Sequence, residues 1–135
     1  MLVIDASVAA GWFVPDPGAE GQPTVPDEPL IAPDLIVAEL SNTFWKIARG
    51  GGLEPDQVGR MVAAIPEYFM RLEPAANIAA RAIQLAFELD HPAYDCFYLS
   101  LAEREGATVV TADKRLLRRL SGTRYEALAH PPTQA

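Results

Sequence analysis

Short runs of apolar residues alternate along the chain with longer stretches in which apolar side chains recur every three or four positions. The chain opens on such a run, Leu2 to Ile4, and a second run precedes Thr111. Continuous runs are typical of buried strands, whereas the wider spacing is typical of amphipathic helices. Strands that alternate with helices favour a parallel sheet. The pattern therefore predicts an α/β fold, a sandwich in which a central parallel sheet has helices on both faces.

The same pattern predicts the individual elements. Helices are expected over 7–13, 54–65, 75–89 and 93–105, from near Asp34 to a glycine stop at 50–52, and after Asp113. Strands are expected at 2–4, 68–74 and 125–128, with a brief strand at 30–33 and another just before Asp113. Residues 96–102 are apolar on nearly every side, which predicts a helix buried against several neighbours. Residues 130–135 are expected to fray.

Length and composition bound the class of protein. A chain of 135 residues fits one domain, 1–135, with a proline-rich acidic segment at 14–29 that we expect to be a mobile surface loop. No stretch approaches the roughly 20 apolar residues of a membrane span, and no basic leader opens the chain, so we expect a cytoplasmic protein without membrane contact. Cys96 is the single cysteine, which excludes an intrachain disulfide and a cysteine cluster for zinc. Any metal would therefore be held by oxygen.

The charge distribution bears on a nucleic-acid partner. The formal net charge of −7 argues against one, because phosphate binding depends on lysine and arginine. Basic residues nevertheless gather in one short segment, as Lys114, Arg115, Arg118 and Arg119. Contact with RNA phosphates and a solvated basic face are both open interpretations of this segment.

Four acidic residues stand at positions that can converge. Asp5 and Asp113 follow predicted strands, Asp95 opens a predicted helix, and Glu39 lies inside another. Taken singly, each aspartate is well placed to cap a helix, and Glu39 is an exposed acid on a helix whose start is served by Asp34. Taken together, they would meet beyond the carboxyl ends of parallel strands, where such sheets bind ligands. Carboxylates without histidine or thiolate suit Mg²⁺ or Mn²⁺.

Three polar residues accompany these acids. Ser7 and Thr111 each lie two residues from an aspartate, so that each hydroxyl either points into the crevice or bonds to nearby backbone. Asn42 lies one turn after Glu39, where it orients that carboxylate, contacts a substrate, or is simply solvated.

We interpret most of the aromatic residues and His91 as structural. By their spacing the aromatic residues belong mostly to the core: Trp12, Phe13, Phe44, Trp45, Tyr94, Phe97 and Tyr98. Trp12 or Tyr94 would be the candidates for stacking on a base. His91 precedes a proline at a helix entry and is assigned no catalytic role.

Four motifs in this order, "VIDASV", "AELSN", "AYDCFYLSLA" and "VVTADKRL", resemble those of PIN-domain ribonucleases, in particular the VapC-type toxins of toxin–antitoxin pairs. The resemblance implies a PIN-like sandwich and a metal site made by Asp5, Glu39, Asp95 and Asp113 in an endoribonuclease. It also implies a homodimer and a partner antitoxin that blocks the site. The 14–29 segment is longer and more acidic than this pattern.

The leading hypothesis is a Mg²⁺- or Mn²⁺-dependent endoribonuclease that hydrolyses RNA phosphodiester bonds. One alternative is a signalling domain with a phosphoacceptor aspartate in an acidic, Mg²⁺-binding pocket. It would require two adjacent acids after the first strand, where the chain has Asp5 alone. Another alternative is a catalytically silent PIN-like binding module, since an intact set of acids is necessary but not sufficient for catalysis.

Overall fold

A five-stranded parallel sheet forms the centre of the molecule. The computed structural model describes residues 1–14 and 24–133. Its strands are short, and the sheet order is β3-β2-β1-β4-β5. The strands are β1 (Leu2–Ile4), β2 (Leu30–Pro33), β3 (Arg71–Glu73), β4 (Thr108–Val110) and β5 (Ala129–His130). Every pairing between neighbouring strands is parallel, which confirms the predicted sheet.

Helices connect these strands. They are α1 (Ala6–Phe13), α2 (Leu35–Arg49), α3 (Pro55–Ala64), α4 (Ala79–Leu89), α5 (Ala93–Glu105) and α6 (Lys114–Leu120). The strand order runs one way from β1 to β3 and the other way through β4 to β5. Right-handed crossovers then place α1 to α3 on one face of the sheet and α4 to α6 on the other. Within the part of the chain that the structure describes, no helix is long and apolar enough to cross a membrane.

The order of the strands determines where a ligand can bind. From β1 the chain adds β2 and then β3 on one side, whereas β4 and β5 lie on the other side of β1. The switch point of the sheet therefore lies between the paired neighbours β1 and β4. A crevice opens beyond the carboxyl ends of the strands at such a point. Asp5 follows β1 directly, and Thr111 follows β4 directly. The fold therefore places both residues at the mouth of this crevice.

Helix α5 is the central helix of the core. Its buried residues are Cys96, Tyr98, Leu99, Ser100, Leu101 and Ala102, which confirms the prediction of a helix surrounded by neighbours. It packs against α4 and against β1, β2 and β4. The Ser100 hydroxyl, which is buried with the apolar side chains, donates to the carbonyl of Ile78 at 3.0 Å. A buried hydroxyl with such a partner avoids the cost of an unmade hydrogen bond.

The chain end differs from the sequence prediction. Residues 125–128, predicted as a strand, contain a turn of 3₁₀ helix, and the strand follows as β5 at Ala129–His130. The backbone N–H of Thr111 donates to the carbonyl of His130 at 3.0 Å, so His130 is held in the sheet and does not fray. Tyr125 is buried, and its hydroxyl donates to Glu88 at 2.6 Å. This contact ties the segment to α4 before β5 begins.

Two aromatic residues that the spacing assigned to the core lie at the surface. Trp45 and Tyr94 are 52% and 69% exposed. Trp45 lies near the end of α2, where the Arg49 guanidinium covers its ring at 4.9 Å, and Tyr94 lies in the exposed first turn of α5. For the proline-rich segment, residues 24–29 contain no helix or strand, and residues 15–23 lie outside the described part of the chain.

Burial on α4 yields a test of the packing. Leu85→Ala removes a fully buried side chain, and we expect the free energy of unfolding to fall by about 2–5 kcal/mol, measured by urea denaturation. Met70→Ala, just before β3, is the control, because Met70 is an apolar side chain that is 61% exposed. Its expected change is within about 0.5 kcal/mol. Equal losses in the two variants would contradict this arrangement of α4.

Candidate active site

Asp5 lies where β1 ends, at the switch point of the sheet. Its backbone N–H donates to the carbonyl of Val110 at 3.0 Å, which extends the pairing of β1 with β4 by one residue. Its side chain is 5% exposed and makes no hydrogen bond to cap α1. Capping therefore does not account for this aspartate. The buried carboxylate is held chiefly by side-chain hydroxyls, and the backbone of Ala6 at the start of α1 only adds to the lowering of its pKa.

Two hydroxyl groups hold the Asp5 carboxylate. Ser7 Oγ and Thr111 Oγ1 both donate to Asp5 Oδ2, at 2.8 and 2.6 Å. Each hydroxyl in turn accepts a backbone N–H from the segment after β4: Ser7 from Ala112 and Thr111 from Asp113, both at 3.0 Å. Thr111 bonds to local backbone as one interpretation predicted, Ser7 bonds to backbone far away in the sequence, and the role of both residues at a functional site stays a prediction. The two hydroxyls join the acid at the end of β1 to the backbone at the end of β4.

Glu39 reaches the same region from α2. It is half-buried, and the Tyr98 hydroxyl of α5 donates to its Oε1 atom at 2.7 Å. Tyr98 is 1% exposed, and this polar contact was not predicted from its apolar neighbourhood. The signal was available in the spacing, because Tyr98 lies three residues after Asp95 on one helix face. Asn42 is exposed, one turn further along α2.

Asp95 comes from the first turn of α5. Its Oδ2 atom lies 2.6 Å from Nε2 of His91, so the ring nitrogen donates to the carboxylate. His91 is buried, 9% exposed, although the sequence analysis assigned it no role at the site. The spacing of four residues across a helix start was the available signal. His91 and Tyr98 are therefore the two site residues that sequence reasoning missed.

The pKa shifts show that three of the acids share one electrostatic environment. Burial raises the pKa of Asp5 above the ordinary value, the hydroxyls of Thr111 and Ser7 lower it, and the charge of Asp95 raises it. Burial also raises the pKa of Glu39, and the charges of Asp5 and Asp95 add to the rise while Tyr98 opposes it. The groups that lower these two pKa values are neutral donors. Among the described residues, no lysine or arginine contributes to the pKa shift of either acid.

Asp113 behaves differently from the other three acids. Its Oδ1 atom accepts the backbone N–H groups of Arg115 and Leu116, at 2.9 and 3.3 Å, so it caps α6. The capping interpretation is confirmed here. It is wrong for Asp34, whose carboxylate accepts the backbone N–H of Ala75 at 3.0 Å and makes no bond to its own helix. Asp113 nevertheless remains linked to Asp5, because its own N–H binds the Thr111 hydroxyl.

The chemistry of the donor set fits a hard divalent cation. Carboxylate and hydroxyl oxygens are the ligands of Mg²⁺ and Mn²⁺, and a cation would offset the charge that raises the pKa values of Asp5 and Glu39. Across residues 1–14 and 24–133, no three histidine, cysteine or acidic side chains are grouped so as to hold one ion as they stand. Glu39 and Asp95 are bonded to Tyr98 and His91. The carboxylates suited to a metal are therefore present, and one oxygen of each of Asp5, Glu39 and Asp95 is held by a protein donor.

Comparison with known proteins identifies relatives over most of the chain. A model of the family described as PIN domain matches residues 2–122. Ribonuclease VapC3 of Pyrobaculum aerophilum is 32% identical over 119 residues, which cover 85% of this chain and 91% of that protein. VapC ribonuclease Mb0985 of Mycobacterium bovis is 27% identical over 116 residues, covering 86% and 88% of the two chains. The crystal structure of PAE2754 from Pyrobaculum aerophilum superposes with a TM-score of 0.63 at 25% identity, covering 90% of this chain and 86% of that one.

The buried charge of Asp5 makes a prediction about stability. The pKa of Asp5 is higher in the folded protein than in the unfolded chain, so the folded protein binds this proton more tightly. The free energy of unfolding therefore falls as pH rises from the unfolded-state pKa to the folded-state pKa. We expect Asp5→Asn to abolish this fall and, in EDTA at pH 7, to stabilise the protein by roughly 0.5–2 kcal/mol. Thermal unfolding across a pH series measures the effect.

Asp27→Asn is the matched control, since Asp27 is exposed. We expect its unfolding profile in EDTA to follow that of the unaltered protein. A destabilised Asp5→Asn variant would show that the hydroxyl contacts outweigh burial, contrary to this prediction.

Proposed function

The chain belongs to the PIN-domain family, and from this membership together with the crevice at Asp5 we propose that it is a divalent-metal-dependent endoribonuclease. Its relatives are named VapC ribonucleases. The single observation that carries the proposal is the electrostatic coupling of Asp5, Glu39 and Asp95, which come from three separate elements. In this proposal these acids, with Asp113 as a fourth carboxylate, are the catalytic set.

The reaction is the hydrolysis of an internal phosphodiester bond in RNA. A water oxygen forms a bond to phosphorus, the bond from phosphorus to the 3′ oxygen breaks, and the leaving oxygen takes up the proton that the water gives up. The products are a 5′-phosphate and a 3′-hydroxyl, and the ribose 2′-hydroxyl takes no part. A bound Mg²⁺ or Mn²⁺ ion supplies the activation of water and the neutralisation of phosphate charge.

The residues of the chain hold the acids in place for this chemistry. Ser7 and Thr111 fix one oxygen of Asp5, and Tyr98 fixes one oxygen of Glu39. His91 does the same for Asp95. Each acid thus keeps a second oxygen for a cation, and partners of this kind orient ligands and maintain the affinity of a metal site.

Two protein partners belong to the proposal. We propose that a cognate antitoxin covers the carboxylate crevice and that the chain forms a homodimer. The names of the VapC relatives support the antitoxin, whereas the homodimer rests on the resemblance in sequence motifs alone. Exposed apolar surface on α4, where Ile83 and Phe87 lie one turn apart and are 46% and 83% exposed, is consistent with an interface.

Cleavage of RNA by the purified protein tests the proposed activity. We expect total RNA to be cut in Mn²⁺ or Mg²⁺ and to remain intact in excess EDTA, with 5′-phosphate ends. Asp5→Asn and Glu39→Gln should each lower the rate by about 100-fold or more, because a metal ion contributes several kcal/mol to the transition state. Glu54→Gln, an exposed acid, is the control and should retain the wild-type rate.

The same assay separates the alternatives. Full activity in EDTA or in the Asp5→Asn variant would contradict the metal mechanism. A folded protein that binds Mn²⁺ without cutting any RNA would be the silent binding module. The phosphoacceptor domain gains no support from the family match, and incubation with acetyl phosphate would reveal it by incorporation of phosphate.

The contact between His91 and Asp95 generates a prediction on metal affinity. His91→Ala leaves Asp95 without its donor, and we expect Mn²⁺ to bind about 10–100-fold more weakly, measured by titration calorimetry. His91→Gln keeps an N–H donor and should recover part of the loss. His130→Ala is the matched control, because His130 lies in β5 and bonds to the Pro131 carbonyl. Unchanged affinity in His91→Ala would remove this role.

A further inference from the structure

A cleft opens between the turn that joins α4 to α5 and the side of α6. Its volume is about 350 Å³, and its walls are Asp90, His91, Pro92, Arg115, Arg118 and Arg119. The turn is sharp because Asp90 has the left-handed backbone conformation, with φ of 51°. Arg118 and Arg119 lie three and four residues after Arg115, so both are its neighbours on the surface of α6, and all three line the cleft. Lys114, grouped with them in the sequence analysis, does not line the cleft.

Four of the arginines outside this cleft are paired with acids, whereas, within the described part of the chain, the three cleft arginines are not. Arg71, Arg81, Arg104 and Arg124 all form ion pairs with glutamates, at 2.7 to 3.1 Å. Among the residues that the structure describes, no acid lies within ion-pair distance of the three cleft arginines, although Asp90 is part of the same wall. Like charges on one helix side repel each other. An anion in the cleft would remove that repulsion.

A preference of arginine for helix ends does not explain the whole set. Arg118 and Arg119 lie in the last turn of α6, where cations suit the helix dipole. Arg115 lies in the first turn, where the dipole disfavours a cation. A guanidinium offers a planar fork of N–H donors that matches two oxygens of a phosphate. Arg115 therefore favours a phosphate ligand over a purely structural role.

The cleft shares its walls with the carboxylate crevice. His91 lines the cleft, while its Nε2 atom lies 2.6 Å from Asp95. On the opposite wall, α6 begins directly after Asp113, whose backbone N–H binds the Thr111 hydroxyl that also holds Asp5. A polymer with regularly spaced phosphates can occupy both places at once. A single-stranded nucleic acid is such a polymer.

We propose that this arginine cleft binds a phosphodiester group of the RNA strand adjacent to the one that is cut. The inference rests on the proposed function and adds the direction in which the strand leaves the site, past His91 and along α6. Phosphate contacts position a strand without reading its sequence. The cleft therefore contributes to affinity and register and leaves sequence preference to other surfaces.

Binding of a fluorescein-labelled, mixed-sequence RNA 12-mer in EDTA tests this subsite separately from catalysis. We expect Arg115→Ala, Arg118→Ala and Arg119→Ala each to raise the Kd about threefold to tenfold, measured by fluorescence anisotropy. Each lost phosphate contact should also reduce the slope of log affinity against log salt by about 0.7. Thermal unfolding checks that every variant is folded.

Lys114→Ala and Arg60→Ala are the matched controls, since both residues are exposed and lie outside the cleft wall. Their Kd should stay within about twofold of the unaltered protein. Control variants that weaken binding as much as the cleft variants would overturn the subsite in favour of general attraction. Cleft variants that keep full RNA affinity but lose binding of a poly-glutamate peptide would also overturn it, in favour of an acidic protein segment.

The outcomes also separate the subsite from the proposed function. If the unaltered protein cuts RNA in Mn²⁺ while the cleft variants bind and cut like it, the subsite is wrong and the ribonuclease stands. If binding depends on the cleft but no RNA is cut, the subsite stands and the catalytic proposal fails. A protein that binds no RNA at all would overturn both.

Discussion

Like charges held close together in a partly buried crevice are the constraint on which the rest of the site depends. Burial and the charge of Asp95 raise the pKa of Asp5, and burial with the charges of Asp5 and Asp95 raises the pKa of Glu39. A folded protein tolerates such an arrangement only at the expense of stability, unless a cation or a proton neutralises part of the charge. The parallel sheet imposes the arrangement, because its switch point brings the ends of β1 and β4 to the edge that α2 and α5 also reach.

The protein meets this constraint at Asp5 and Glu39 with neutral donors. Two hydroxyls hold Asp5, a tyrosine hydroxyl holds Glu39, and a histidine ring holds Asp95. Elsewhere, the same chain pairs its acids with arginine, as in the contacts of Glu73 and Glu103. An arginine in the crevice would satisfy the acids and leave nothing for a metal to neutralise. Neutral donors fix the positions of the acids and preserve their demand for a cation.

Charge separation explains how an acidic protein can act on an acidic polymer. The net charge of −7 describes the whole chain, whereas a strand of RNA meets only the surface beside the crevice. On that surface, the arginine cleft includes His91, which also contacts the carboxylate of Asp95. Among the described residues, the three arginines of the cleft have no acidic partner. In the proposed complex, the arginines would attract the backbone and the carboxylates would hold a cation against its phosphate. Opposite charges in adjacent clefts would then serve one substrate.

Much of the fold and part of the site could be predicted from the sequence. Apolar periodicity is a local property of the sequence, and it predicted β1, α2, α5 and the parallel sheet that such an alternation implies. The acids after β1 and β4 could also be predicted as site candidates, because each follows the end of a strand. The contact of Tyr98 with Glu39, the burial of Tyr125 and the strand at Ala129–His130 required the tertiary structure, whereas the contact of His91 with Asp95 joins residues only four positions apart. Local spacing shows which side chains share a face, but it does not show which other element packs there. Hydrogen bonds between residues as far apart as Glu39 and Tyr98 exist only because the chain has closed around a common core, and that closure decided which polar groups act together.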